Sequence, residues 1–65
     1  QLKQDFFRET LRRMQMRLAE LGYFKGEVNG DFGKDSAAAL GAFQRDQNIA
    51  ISGFPDQLTL FRLFY

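Results

Sequence analysis

The sequence predicts an all-α domain, a compact three-helix bundle with glycine-rich connecting loops. Apolar residues recur at helical spacing in three segments, and glycine-containing stretches that would destabilise a helix separate these segments. The length of 65 residues allows one domain, since so short a chain buries only about 60% of its unfolded surface. We expect residues 1–65 to be a single domain. Because the chain begins with Gln1 rather than Met, we also expect it to be a piece of a larger protein.

The first helix is predicted from position 3 or 4 to Leu21. Its apolar stripe has members three or four positions apart: Phe7, Leu11, Met14, Leu18 and Leu21. Charged residues of both signs, such as Glu9 and Arg12, fill the other face and suit solvent. Gly22 ends the helix, because glycine accepts the positive φ that a helix stop prefers.

The second and third helices follow glycine-containing turns. Residues 23–33 hold three glycines, each costing about 1 kcal/mol inside a helix, and are predicted to form a loop. The second helix is predicted from about Lys34 to Gln47, and Asn48 ends it. Its inner face is Ser36, Ala39, Leu40 and Phe43. The third helix begins near Pro55 or Asp56, because proline fits the first helical position and aspartate caps well. Its inner stripe is Thr59, Leu60 and Leu63.

The two turns form a weak internal repeat. Asn29-Gly30 and Ser52-Gly53 are each followed by a hydroxyl residue, Ser36 or Thr59, six positions after the glycine. We expect each hydroxyl to bond back to its own turn and to fix the start of its helix. Gln15 and Gln44 are polar positions on apolar helix faces. The favoured interpretation is that they bond loop carbonyls or amides; ligand binding is the alternative.

Composition excludes several functions. The absence of Cys rules out a disulfide framework, and the absence of His removes the commonest general base and metal ligand. The net charge of +1 argues against nucleic-acid binding, and no apolar run approaches the roughly 20 residues of a membrane span. No signal peptide is visible. We predict no catalytic residues, no metal site and no cofactor.

Short motifs follow one another along most of the chain, from about Leu11 to Leu63. Around the first loop they are Gln15, Leu18, Leu21, Gly22 and Tyr23, then Gly26, Asn29, Gly30, Phe32, Gly33 and Ser36. Later they are Ala39, Leu40, Phe43 and Gln44, then Ile49, Ile51 and Gly53, and finally Asp56, Thr59 and Leu60. In this order the motifs resemble the small three-helix peptidoglycan-binding domain found beside bacterial cell-wall enzymes. Two departures are Asn29, where the family has Asp, and Ser36, where it has Thr.

The resemblance implies a non-catalytic module that binds peptidoglycan and targets an attached enzyme or envelope protein to the bacterial cell wall. It implies a periplasmic or extracellular location, with peptidoglycan or a muropeptide as the partner. The alternative is a protein–protein docking module that has the same fold, has lost glycan binding and contacts a partner domain of the same protein. We expect a monomer in either case.

A peptidoglycan fragment offers hydroxyls, N-acetyl groups and peptide carboxylates, which suit a groove with an aromatic ring, amides and cations. The candidate ligand-binding residues lie on the first loop and the second helix: Tyr23, Phe24, Lys25, Asn29, Asp31, Lys34 and Arg45. Taken singly, each charged member is better explained as ordinary solvated surface, and the alternative for Tyr23 is a ring that is partly core. A candidate interface lies at the C-terminal end: Phe61, Phe64 and Tyr65. The alternative is that these rings pack under Leu2, Phe6 and Phe7.

Overall fold

The computed structural model describes residues 2–65, with side chains from Phe7 onward. Its elements are α1 (Leu2–Glu20), α2 (Lys34–Asp46) and α3 (Gln57–Phe64), and no strand occurs between residues 2 and 65. Helix α1 packs against both α2 and α3. The predicted all-α, three-helix fold is confirmed. In the part of the chain that the structure describes, no helix has both the length and the apolar character needed to cross a bilayer.

One core joins the three helices. Its buried apolar members are Leu11, Met14, Leu18, Phe24, Ala39, Leu40, Phe43 and Leu63. The predicted inner face of α2 is confirmed in full, since all four of its residues are buried. The predicted stripe of α3 is buried at Thr59 and Leu63, while Leu60 is only partly covered.

The end of α1 corrects the predicted apolar stripe at Leu21. Gly22 has a φ of 91°, and the N–H groups of Gly22 and Tyr23 donate to the carbonyls of Ala19 and Leu18. These bonds reverse the chain in a Schellman motif. Leu21 is therefore left exposed at the helix end, and the ring of Phe24 enters the core in its place, with 5% of its surface exposed.

The other end of α1 corrects the prediction for Phe7. With 19 residues, α1 is about 28 Å long, whereas the 13 residues of α2 span about 20 Å. The longer helix extends beyond its partner, and Phe7 is more than half exposed. Helix α1 also begins at Leu2, earlier than predicted. The proposed packing of the C-terminal rings against Leu2 and Phe6 lies outside the described side chains.

Helix α2 ends in a second Schellman motif. Asn48 has a φ of 59°, its N–H donates to the carbonyl of Arg45, and the N–H of Ile49 donates to the carbonyl of Gln44. Asn48 therefore ends α2 as predicted. The predicted cap of α3 is also confirmed, because a carboxylate oxygen of Asp56 accepts a 2.9 Å bond from the N–H of Thr59.

Candidate functional site

The loop between α1 and α2 is held from below by one buried side chain. The Oε1 atom of Gln15 accepts hydrogen bonds from the N–H groups of Asn29 (2.9 Å) and Gly30 (2.8 Å). Its Nε2 atom donates to the carbonyl of Asp31 (2.8 Å) and to the hydroxyl of Ser36 (3.0 Å). These four bonds use the full capacity of an amide side chain. The structural interpretation of Gln15 is confirmed, and the amide has no group left for a ligand.

The second connection is held in the same way by Gln44. Its Oε1 atom accepts from the N–H groups of Ser52 and Gly53, at 3.0 and 2.9 Å. Its Nε2 atom donates to the carbonyl of Phe54 at 3.2 Å and to the hydroxyl of Thr59 at 2.8 Å. The expected bond back to the turn is found at Ser36, whose hydroxyl donates to the carbonyl of Asp31 at 3.5 Å. The shorter bonds of both hydroxyls, however, are those that they accept from the glutamines.

Gly30 fits because the turn lies directly against α1. A methyl group at Gly30 would lie 2.8 Å from Cγ of Arg8 and 2.9 Å from its carbonyl oxygen, and φ at Gly30 is 83°. Only glycine satisfies both the positive φ and the close approach of two backbones. The first loop is therefore pinned to α1 at this point.

A cavity of about 380 Å³ opens beside the pinned turn. Its lining combines buried polar groups with an exposed charged rim: Gln15, Phe24, Glu27, Asn29, Asp31, Phe32, Gly33, Lys34, Asp35 and Ser36. We call this space the first cavity. The start of α2 forms one of its walls. Gly33, the residue before α2, provides no side-chain cap for the helix.

The charges on the rim are unequally engaged. Asp31 forms a 2.9 Å ion pair with Arg8, and both side chains are exposed, so this pair contributes little stability. Lys34, Glu27 and Asp35 have no ion-pair partner among the side chains from Phe7 onward. As far as the described side chains extend, the first cavity therefore presents one cation and two carboxylates that are not engaged in ion pairs.

A second cavity of about 320 Å³ lies at the same loop. It is lined by Tyr23, Lys25, Gly26, Asp35, Ala38 and Ala39, so Asp35 borders both cavities. We refer to the two cavities together as the first-loop groove. The backbone at Gly26 passes between neighbours, since a methyl group there would lie 3.0 Å from Cζ of Phe24 and 3.3 Å from Oδ2 of Asp35.

Tyr23 is held rigidly at the edge of the second cavity. Its ring meets Phe43 edge to face at 5.7 Å, and its hydroxyl donates a 2.6 Å hydrogen bond to Oδ2 of Asp46. This bond raises the pKa of Tyr23 above its ordinary value and lowers the pKa of Asp46. The half-buried ring agrees with the interpretation of Tyr23 as partly core. The hydroxyl, however, is engaged with α2.

The structure brings six of the seven predicted ligand residues to this groove. Tyr23 and Lys25 border the second cavity, and Phe24, Asn29, Asp31 and Lys34 border the first. Arg45 borders neither cavity, and its Nε atom lies 3.5 Å from Oδ1 of Asp46. Phe24 contributes through a buried ring rather than an open face. Oδ1 of Asn29 accepts from the N–H of Asp31, so this oxygen already stabilises the turn.

Sequence reasoning missed Asp35 as a member of the groove. An acidic residue in the first turn of a helix is explained by the helix dipole alone, so the sequence offers no reason to place Asp35 in a binding site. In the structure it borders both cavities. Glu27 was missed as well. The sequence feature that could have identified Glu27 is its position as a charged residue between Gly26 and the Asn29-Gly30 turn. Within the described residues no group of His, Cys, Asp and Glu could hold a metal ion.

The predicted C-terminal interface residues are exposed. Phe61 is 58% exposed and Tyr65 is 94% exposed, and their rings meet at 5.5 Å. Phe64 borders a separate shallow cavity of about 250 Å³ together with Arg13, Met16, Arg17 and Glu20. This apolar surface is distinct from the first-loop groove.

Comparison with known proteins adds a family to this geometry. Residues 8–63 match a family model described as "Putative peptidoglycan binding domain". The chain is 36% identical over 52 residues to the N-acetylmuramoyl-L-alanine amidase CwlM of Mycobacterium tuberculosis. This match covers 80% of the chain but only 13% of that relative. No solved structure matches the chain.

Proposed function

We propose that this chain, which belongs to the family of peptidoglycan-binding domains, binds peptidoglycan through its first-loop groove. The observation that supports this proposal most directly is the groove itself. It consists of two cavities beside a tightly hydrogen-bonded turn, and each has at its border a lysine without an ion-pair partner among the described side chains. The family match supports peptidoglycan as the ligand, and the groove supports the first loop as the place where it binds.

The first cavity suits a peptide of the cell wall. Lys34 provides a cation for a ligand carboxylate, while Glu27 and Asp35 provide acceptors for an amino group. Peptide stems of peptidoglycan carry both kinds of charge. Charge-assisted hydrogen bonds are stronger than neutral ones, and here they would form at a preorganised loop.

The second cavity suits the adjoining part of the same ligand. Lys25 supplies a further cation, Ala38 and Ala39 supply a small apolar wall, and the ring of Tyr23 forms a fixed edge. Because Asp35 borders both cavities, one ligand can contact both.

The proposed role is non-catalytic. The hydroxyls of Ser36 and Thr59 are buried and accept hydrogen bonds from Gln15 and Gln44, so both are engaged in holding the loops. The chain contains no His to activate a hydroxyl. We therefore assign any chemistry to a separate domain of a larger protein. The peptidoglycan-binding domain, a monomeric unit formed by residues 1–65, would hold that larger protein at the cell wall, in the periplasm or outside the cell.

The test is co-sedimentation of the folded domain with purified peptidoglycan sacculi at low and moderate salt. Wild-type protein should sediment at both salt concentrations. The double variant Lys25→Ala/Lys34→Ala should bind about tenfold more weakly, as expected from the loss of charge-assisted hydrogen bonds. Arg13→Ala, which removes an exposed cation outside the groove, is the matched control and should bind like wild type. Wild-type protein that stays in the supernatant at both salt concentrations would contradict the proposal.

A second candidate function is docking to another protein domain. The exposed rings of Phe61 and Tyr65 favour it, because clustered exposed aromatics often mark interfaces. The two functions separate experimentally. Docking predicts that Phe61→Ala/Tyr65→Ala abolishes binding to a partner domain of the same protein, while sacculus binding is absent in wild type.

A further inference from the structure

Phe54 is an exposed aromatic residue on a tightly held backbone. Its side chain is 61% exposed. Its N–H donates to the hydroxyl of Ser52 at 3.2 Å, and its carbonyl accepts from Nε2 of Gln44 at 3.2 Å and from the N–H of Asp56 at 2.8 Å. Both backbone groups of an exposed apolar residue are therefore fixed by the second turn.

The ring of Phe54 is linked to the first cavity by a second aromatic residue, Phe32. Phe54 meets Phe32 edge to face, with ring centroids 6.4 Å apart, and Phe32 lines the first cavity. Phe32 is only partly buried, since it packs on the margin of the core. The two aromatic rings therefore extend the first-loop groove towards the second turn.

The surroundings of Phe54 differ from those of the first cavity. The cavity has charged groups at its rim, whereas Phe54 is an exposed aromatic residue whose backbone N–H donates to the hydroxyl of Ser52, and this hydroxyl lies 3.4 Å from Oδ2 of Asp56. A sugar ring has an apolar face of C–H groups and an edge of hydroxyls. Its apolar face can cover an aromatic ring, while its hydroxyls bond neighbouring oxygens.

We propose that Phe54, supported by Phe32, is a platform for a sugar ring of the glycan strand while the first cavity receives the peptide. This inference rests on the proposed function and divides the ligand between two parts of one surface. The fixed backbone supports it, because a ring held in place before binding loses little conformational freedom when a ligand covers it.

The variant Phe54→Ala tests this proposal, and Phe61→Ala is the matched control, because Phe61 is 58% exposed and lines neither cavity of the first-loop groove. Three probes are needed: intact sacculi, glycan strands stripped of their peptides, and a soluble stem peptide. Phe54→Ala should weaken binding to the stripped glycan about fivefold, which is typical of the loss of one aromatic contact. Its affinity for the stem peptide should stay within about twofold of the wild-type value. Phe61→Ala should match wild type on every probe.

Two outcomes would overturn the platform. One is a folded Phe54→Ala variant that binds stripped glycan like wild type, and the other is a wild-type protein that binds stem peptide but no stripped glycan. In both, binding of sacculi by wild type would leave the proposed function standing. If the wild type itself does not bind sacculi, the proposed function of peptidoglycan binding is rejected instead. Phe54→Leu keeps an apolar side chain without an aromatic face, so it should lose glycan affinity even if Phe54→Ala is poorly folded.

Discussion

Gln15 and Gln44 occupy equivalent places in the two halves of the domain. Each amide oxygen accepts from the N–H of a turn glycine, and each amide nitrogen donates to the hydroxyl six residues beyond that glycine. The spacing differs, because Gln15 lies 15 positions before Gly30, whereas Gln44 lies 9 positions before Gly53. The first connection is longer, and its additional residues form the walls of the groove.

Removing the amide of Gln15 should destabilise the whole domain. Gln15→Leu keeps a side chain of similar size but leaves the N–H groups of Asn29 and Gly30 without their acceptor. We expect a loss of about 2–4 kcal/mol in the free energy of unfolding, since each unsatisfied buried group costs about 1–3 kcal/mol. Urea denaturation measures it. Gln57→Leu on the exposed surface is the control, and equal stability of the two variants would contradict the role of Gln15.

Two glycines with similar φ values should respond differently to alanine. Gly22 and Gly30 have φ values of 91° and 83°, but a methyl group meets nothing within 4 Å at Gly22 and meets the backbone of Arg8 at Gly30. Gly22→Ala should therefore cost about 1–2 kcal/mol from the left-handed backbone alone. Gly30→Ala should cost more, because α1 and the loop must separate. Thermal unfolding of both variants provides the comparison, and equal shifts in melting temperature would argue against the close approach.

The bond between Tyr23 and Asp46 should make stability depend on pH at both extremes. It lowers the pKa of Asp46, so its stabilisation is present above the ordinary value of 3.8 and is lost as pH falls through the lower folded pKa. It raises the pKa of Tyr23, so the stabilisation is present below the ordinary value of 10.0 and is lost as pH rises through the higher folded pKa.

Tyr23→Phe is the variant that isolates this bond. It keeps the ring beside Phe43 and removes the hydroxyl, so its unfolding free energy should depend less on pH in both windows than that of wild type. Denaturation across the pH range measures the difference. Parallel pH profiles for the two proteins would show that the bond contributes nothing to stability.

Gly33 leaves the start of α2 without a side-chain cap and also lines the first cavity, so a capping residue at this position should stabilise the helix and hinder the ligand. Gly33→Asp places an acceptor at the uncapped start of α2 and should raise the free energy of unfolding by about 0.5 kcal/mol. The same carboxylate would stand at the first cavity beside Lys34, so muropeptide affinity should fall. Gly33→Ala adds no charge and has room for its methyl group, so it should retain binding. Undiminished affinity in Gly33→Asp would contradict the site.

Most of the fold was predictable because its signals are local. Helical periodicity placed the inner face of α2, and Gly22 and Asn48 marked the helix ends that both Schellman motifs confirm. The exposure of Leu21 and the burial of Phe24 were not predictable from periodicity. The stripe continues through Leu21, and only the reversal at Gly22 decides which side chain reaches the core.

The candidate site was predictable only in part. The first loop was identified from its glycines and its polar residues, but its two cavities depend on the tether between Gln15 and Gly30, which joins distant parts of the chain. Asp35 and Phe54 were missed for the same reason. Neither has a local pattern that distinguishes it from a first-turn acid or an exposed loop ring, and only the fold places them beside the cavity or against Phe32.

Binding of peptidoglycan at the first-loop groove can be measured by titrating isotope-labelled domain with a soluble muropeptide and following the amide chemical shifts. Binding at the first-loop groove predicts saturable shifts concentrated at residues 23–36, the proposed sugar platform adds shifts at Phe54, and the C-terminal end of α3 should be unaffected. Shifts confined to Phe61, Phe64 and Tyr65, or no shifts at all, would contradict binding at the first-loop groove.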